Sequence, residues 1–183
     1  MKKVLFSAMM IATAILVSNS ANAQDTGTDN HTIGITIPQF AIVDVEPSGS
    51  KAITMNFTAP TEVGLPIVAA ADNASLWLNY SVIKALSTTN YKVSAKLNAL
   101  IPGVDIKVTA AAATADGAGT KGTPSAQLTL TAADQSIVTA IGSVYTGDGA
   151  KGHNLTYNLS VNTYANLVAN ANTATVTYTI AAE

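Results

Sequence analysis

The chain predicts an all-β fold, an antiparallel β-sandwich of about eight or nine short strands without disulfides. Three observations predict it. Apolar residues recur at every second position in short runs, and Gly, Pro and Asn clusters separate the runs. No long amphipathic helical pattern follows residue 23. This spacing favours an antiparallel β-sandwich or a barrel over a parallel α/β fold. Cysteine is absent, so packing and strand hydrogen bonds must hold the domain without the covalent bridges common in small secreted proteins.

The N-terminus reads as an export signal. Met1-Lys2-Lys3 is a short positive region, Val4 to Val17 is apolar apart from Ser7 and Thr13, and Ala21-Asn22-Ala23 fits the small-x-small cleavage rule. The apolar run is shorter than the ~20 residues that cross a bilayer. Cleavage is expected after Ala23, with residues 24–30 as a flexible leader and 31–183 as a single β-sandwich domain. The mature chain is therefore expected outside the cytoplasm, in the periplasm or at the cell surface, without membrane insertion. The Lys-Lys start and Ala-x-Ala box, with no lipobox cysteine, have a bacterial look.

The elements follow in order. His31 to Ile37 alternates, with Ile33, Ile35 and Ile37 on one face. Pro38 limits that strand, and Phe40 to Val45 is a second extended piece. Ala52 to Thr58 alternates with Ile53, Met55 and Phe57 inward, and Pro60 to Asn73 reads as a loop or edge crossing. Ser75 to Ser81 is a strand that is apolar on both faces near Trp77. Asn90 to Leu97 places Tyr91, Val93, Ala95 and Leu97 on one side, and Val104 to Ala110 does the same with Val104, Ile106 and Val108. Ala126 to Thr131 is a further strand, whereas Ala132 to Ile141 fits either a helical turn or a crossing strand. Asn154 to Val161 and Thr173 to Ile180 close the chain with the same alternation. Thr114 to Gly122 and Thr146 to Gly152 both carry Asp-Gly, which is hairpin-turn chemistry.

Composition excludes several function classes. Without Lys2 and Lys3, seven lysines face eleven acids, a net charge of −4, and there is no arginine. Nucleic-acid binding needs clustered positive charge, which is missing. Thiol catalysis and cysteine metal sites are excluded outright. His31 and His153 lack metal-ligand spacing and read as surface strand or turn residues. No nucleophile elbow, His-Glu-x-x-His or phosphate-cradling loop occurs. Asp44 and Glu46 share a strand face but read as a solvated strand end rather than a glycosidase pair. No enzyme activity and no cofactor is expected. Asp116 and Asp148, in Gly-rich loops, are weak calcium candidates lacking the Asp-x-Asp-x-Asp series. Trp77, the only tryptophan, is a candidate ligand platform set against a core reading.

The signal peptide, the alternating strand after a polar leader and the Tyr-containing end carry a resemblance. Asn154 to Ser160, followed by Thr173 to Ile180, resembles the closing strands of bacterial surface-fibre subunits, the chaperone–usher-type pilins and spore-coat-protein-U-like domains. The likeness covers those closing residues and the general plan. Spore-coat-U-like domains usually carry a disulfide, and this chain has none. The resemblance implies a structural or adhesive surface protein, a fimbrial or fibre-like subunit. In such fibres an N-terminal extension of one subunit completes the sheet of the next. Here Ile33, Ile35 and Ile37 are the strand-exchange candidates. The competing reading makes His31 to Ile37 the first strand of its own domain. Expected partners are further copies of the chain or other surface proteins. The alternative function is a secreted module that binds glycan or a small ligand through Trp77 and the Asp116 and Asp148 loops.

Overall fold

The computed structural model describes residues 27–183. The signal-peptide reading over residues 1–23 lies outside the described residues. The chain divides into a first unit that runs to Thr36 and a second, compact unit, Ile37–Glu183. Among the described residues no helix is long and apolar enough to cross a membrane.

The second unit is built from nine strands: β1 Phe40–Glu46, β2 Asn73–Ile83, β3 Tyr91–Leu97, β4 Val104–Ala110, β5 Ala118–Pro124, β6 Leu128–Thr129, β7 Gln135–Tyr145, β8 His153–Val161 and β9 Val176–Ala182. The helical content is one 3-10 turn, Tyr164–Asn166. All pairings are antiparallel. The strands form one hydrogen-bonded sheet in the order β6-β4-β8-β2-β7-β3-β9, with β1 added to β2 and β5 added to β7.

The all-β, antiparallel expectation therefore holds, and the reason for a single sheet lies in β2. This strand of 11 residues is long enough to change partners along its length. It pairs with β8 at Leu76 to Leu78 and with β7 at Ser81 and Val82, while β1 runs along its other edge. One strand thus stitches both halves of the sheet together. Inward residues from five strands then meet in one cluster: Leu78 and Val82 on β2, Val93 on β3, Val108 on β4, Ile137 and Ile141 on β7, and Leu155 on β8. Each fully buried aliphatic side chain contributes ~1.5–3 kcal/mol, which offsets the missing disulfides.

The alternating runs at Asn90–Leu97, Val104–Ala110 and Asn154–Val161 form β3, β4 and β8, with their predicted apolar faces turned inward. Three segments differ. His31 to Ile37 makes no strand. Residues 52–57 keep the predicted alternation, with Ile53, Met55 and Phe57 half-buried, yet form no ladder beyond the Thr58–Val68 bridge. The ambiguous stretch after Ala132 becomes the long strand β7. The first Asp-Gly loop leads directly into β5, a strand with no apolar alternation. Its glycines explain the pairing: a Cβ on Gly119 would overlap the Ser143 carbonyl oxygen of β7. Glycine here permits the close backbone approach typical of an irregular strand, and the register shifts between Gly119 and Lys121.

Candidate functional site

The second unit carries two surface concavities: a seam between β1 and β9, and a cleft over β1, β2 and β7.

The seam follows from how the two strands pair. Among the described residues β1 pairs with β2 alone and β9 with β3 alone. Each therefore keeps one backbone edge without a ladder partner. The two strands flank a groove of about 280 Å³ lined by Val43, Val45, Val176 and Tyr178, with Asp44 and Lys51 at its rim. Period-2 geometry turns Ala41, Val43 and Val45 of β1 toward the core, as it does Val176, Tyr178 and Ile180 of β9. All six are only half-buried and pack against the core cluster. An apolar interior thus runs to the surface along this line. Deeper in, Tyr157 and Tyr178 share a hydroxyl–hydroxyl bond of 2.7 Å. Burial pushes both phenols above their ordinary value.

The cleft lies over β1, β2 and β7 and is lined in part by their outward residues Ile42, Asp44, Ser81 and Tyr145. Its volume is about 380 Å³. Cross-strand register places Ile42 opposite Ser81, Ser81 opposite Tyr145, and Asp44 opposite Asn79. Gly147 and Asp148 of the β7–β8 loop form its wall. That loop is tied down by buried polar contacts. Thr146 N–H donates to the Tyr80 carbonyl at 3.1 Å, Tyr80 N–H donates to Thr146 Oγ1 at 3.0 Å, and Asn79 Nδ2 donates to the Gly149 carbonyl at 2.8 Å. Gly152 completes the fit. Its φ is +61°, and a Cβ there would meet the Leu78 carbonyl oxygen and Asn79 Oδ1.

The residues singled out in the sequence fall as follows. Ile33, Ile35 and Ile37 are exposed at 71%, 80% and 73%. Trp77 is half-buried and outside the core cluster, on the face opposite Leu76 and Leu78 and paired across from Glu46. The core reading of Trp77 is therefore corrected: two leucines in the other phase fill the inner face. Asp116 accepts the Lys151 ammonium at 3.1 Å and the Thr114 hydroxyl at 3.1 Å. The lysine holds its carboxyl below the usual value. Asp148 Oδ1 accepts the Gly149 N–H at 3.0 Å. Among the described residues no three His, Cys, Asp or Glu side chains gather as a metal site. Asp44 is paired with Lys51 at 2.5 Å, which lowers its pKa, and Glu46 accepts the Ser48 N–H. Each of these two carboxylates thus has its own local partner.

His31 is exposed, but His153 is not the surface residue that the sequence suggests. It is fully buried and stacks on Tyr80, with ring centroids 5.6 Å apart. Its Nδ1 lies 2.7 Å from the Ala111 carbonyl, which can only accept, so Nδ1 carries the proton. In the neutral ring Nε2 can only accept, so the single Tyr80 hydroxyl proton is shared between Nε2, 2.7 Å away, and the Lys121 carbonyl. Burial lowers the His153 pKa and raises that of Tyr80. This neutral pair clamps the segment around Ala111 and β5 onto β2 and β8. Nothing in its local sequence signals the role, because its partners come from positions distant in the chain. Tyr145, 56% exposed on the cleft, was likewise not distinguishable from the core tyrosines, since it ends a strand whose existence the sequence leaves open.

Comparison with protein-family models, with curated proteins and with solved structures returned no match.

Proposed function

We propose that this chain is an exported structural or adhesive surface subunit that associates with further copies of itself by strand addition. The observation that carries the reading is the seam between β1 and β9. Two strand edges without ladder partners there flank half-buried apolar side chains. Open edges of this kind accept an added strand, with main-chain bonds supplying affinity and pockets selecting alternate side chains. The chain also holds a segment of matching pattern, His31 to Ile37, whose three isoleucines are solvent-exposed.

Local chemistry favours a second copy as the acceptor. Only Pro38 and Gln39 separate Ile37 from β1. A two-residue hairpin needs positive φ at its first loop position, and proline holds φ near −65°. The segment is thereby denied a tight turn back along its own β1.

Sedimentation velocity and negative-stain microscopy test the reading. The protein is expected to form concentration-dependent oligomers or filaments. The double variant Ile33→Asp, Ile35→Asp is expected to remain monomeric with an unchanged melting temperature. A wild-type protein that stays monomeric at high concentration, or a variant that assembles like wild type, contradicts it.

A further inference from the structure

We propose that the cleft over β1, β2 and β7 binds a neutral or amino-sugar oligosaccharide between Trp77 and Tyr145. The inference does not rest on strand addition, because every residue involved lies within one copy.

The argument begins with spacing. Trp77 and Ser81 are four residues apart on the outward phase of β2, and Ser81 faces Tyr145 on β7. At ~3.3 Å per residue the two aromatic side chains stand about 13 Å apart along the strand. This suits a short oligosaccharide better than a single sugar ring. The floor between them is largely apolar, with Ile42 exposed at 61%, and carboxylates flank it: Asp44, Glu46 opposite Trp77, and Asp148 on the loop wall.

A pyranose presents an apolar C–H face and a rim of hydroxyls. Exposed aromatic rings accept the first, and carboxylates accept hydrogen bonds from the second. Tyr145 and the carboxylates line this cleft, and Trp77 stands just beyond its end, across from the lining residue Glu46. The cleft volume of about 380 Å³ lies within the range of ordinary ligand sites. Three carboxylates line it, and Lys51 compensates only Asp44, so Glu46 and Asp148 leave a net negative cleft that repels an anionic sugar but not a neutral or amino sugar. The site is also preformed. The Thr146–Tyr80 and Asn79–Gly149 bonds fix the wall that carries Asp148, which reduces the ordering cost of binding.

Isothermal titration calorimetry on the intact protein tests the proposal, with cello-, malto- and manno-oligosaccharides, chito-oligosaccharides and an oligogalacturonate as probes. Binding is expected for at least one of the neutral or amino-sugar probes, with a shift in the emission of Trp77, the sole tryptophan. Tyr145→Ala is expected to weaken that binding ten-fold or more, and Asp148→Asn to weaken it measurably, with urea stability and sedimentation unchanged. The oligogalacturonate is expected not to bind. Absence of heat with all the neutral and amino-sugar probes overturns the proposal. Binding that Tyr145→Ala leaves intact, or that the oligogalacturonate shares at equal affinity, overturns it as well.

Discussion

At the scale of single residues, two neighbours on the entry to β8 carry strong consequences. Gly152 combines a positive φ with a backbone packed against Leu78 and Asn79. An alanine there adds backbone strain and overlap together. Gly152→Ala is expected to destabilise the fold by about 2–4 kcal/mol in urea denaturation. His153 is neutral and buried, with its pKa lowered by desolvation. The unfolded chain, with an ordinary histidine pKa of about 6.5, binds the proton more readily than the folded one. The stabilising effect is therefore complete above pH ~6.5 and is lost as the pH falls toward the depressed folded value. Urea midpoints of wild type and His153→Gln, followed from pH 7.5 to 5, should show a steeper acid loss in wild type. Parallel curves would contradict the assignment of a neutral imidazole. Neither role was legible in the sequence. Histidine burial and glycine contact both depend on Tyr80, Leu78 and Asn79, more than seventy positions away in the chain.

At the scale of elements, legibility tracked apolar alternation. β3 buries all the residues whose period-2 pattern marks it, and β4 and β8 bury Val108, Leu155 and Tyr157 and half-bury Val104, Ile106, Leu159 and Val161. In contrast, β5 is Ala-Gly-Thr-Lys-Gly-Thr-Pro, and its extended form is imposed by pairing with β7. Residues 52–57 show the converse case: the pattern is present, but a strand also needs a neighbour to bond, and the described residues give it none over that span. Trp77 was ambiguous because apolar residues occupy both phases of β2, and only the register against Glu46 resolves its face. The Asp44–Lys51 pair at the seam rim is about half exposed on both sides. Exposed pairs of this kind contribute ~0–1 kcal/mol, so Lys51→Ala is expected to change thermal stability by less than about 1 kcal/mol. Removal of a β2 core side chain differs in kind. Leu78→Ala opens a cavity among fully buried neighbours and is expected to cost about 2–5 kcal/mol by equilibrium denaturation.

For the whole second unit, the shared strand β2 sets the pattern of unfolding. Its two halves hold different partners, and one apolar cluster spans both. No part of the sheet can be removed without exposing that cluster. Unfolding of Ile37–Glu183 is expected to be a single transition, with calorimetric and van't Hoff enthalpies in agreement. With no cysteine in the chain, the melting temperature should be the same with and without dithiothreitol. The overall class was legible because alternation, turn chemistry and the lack of helical periodicity agreed. The seam was not, because an edge without a partner is a property of the assembled sheet, invisible in any one strand.

The ladder between β1 and β2 has a mechanical meaning. It runs without a break from Phe40 opposite Ile83 to Glu46 opposite Trp77. A pull along the axis of β1 loads its rungs side by side, so no single bond takes the strain and peeling from one end is avoided. Tethered through this strand against flow, the molecule would bear drag without creeping and then let go at once, when the full ladder shears.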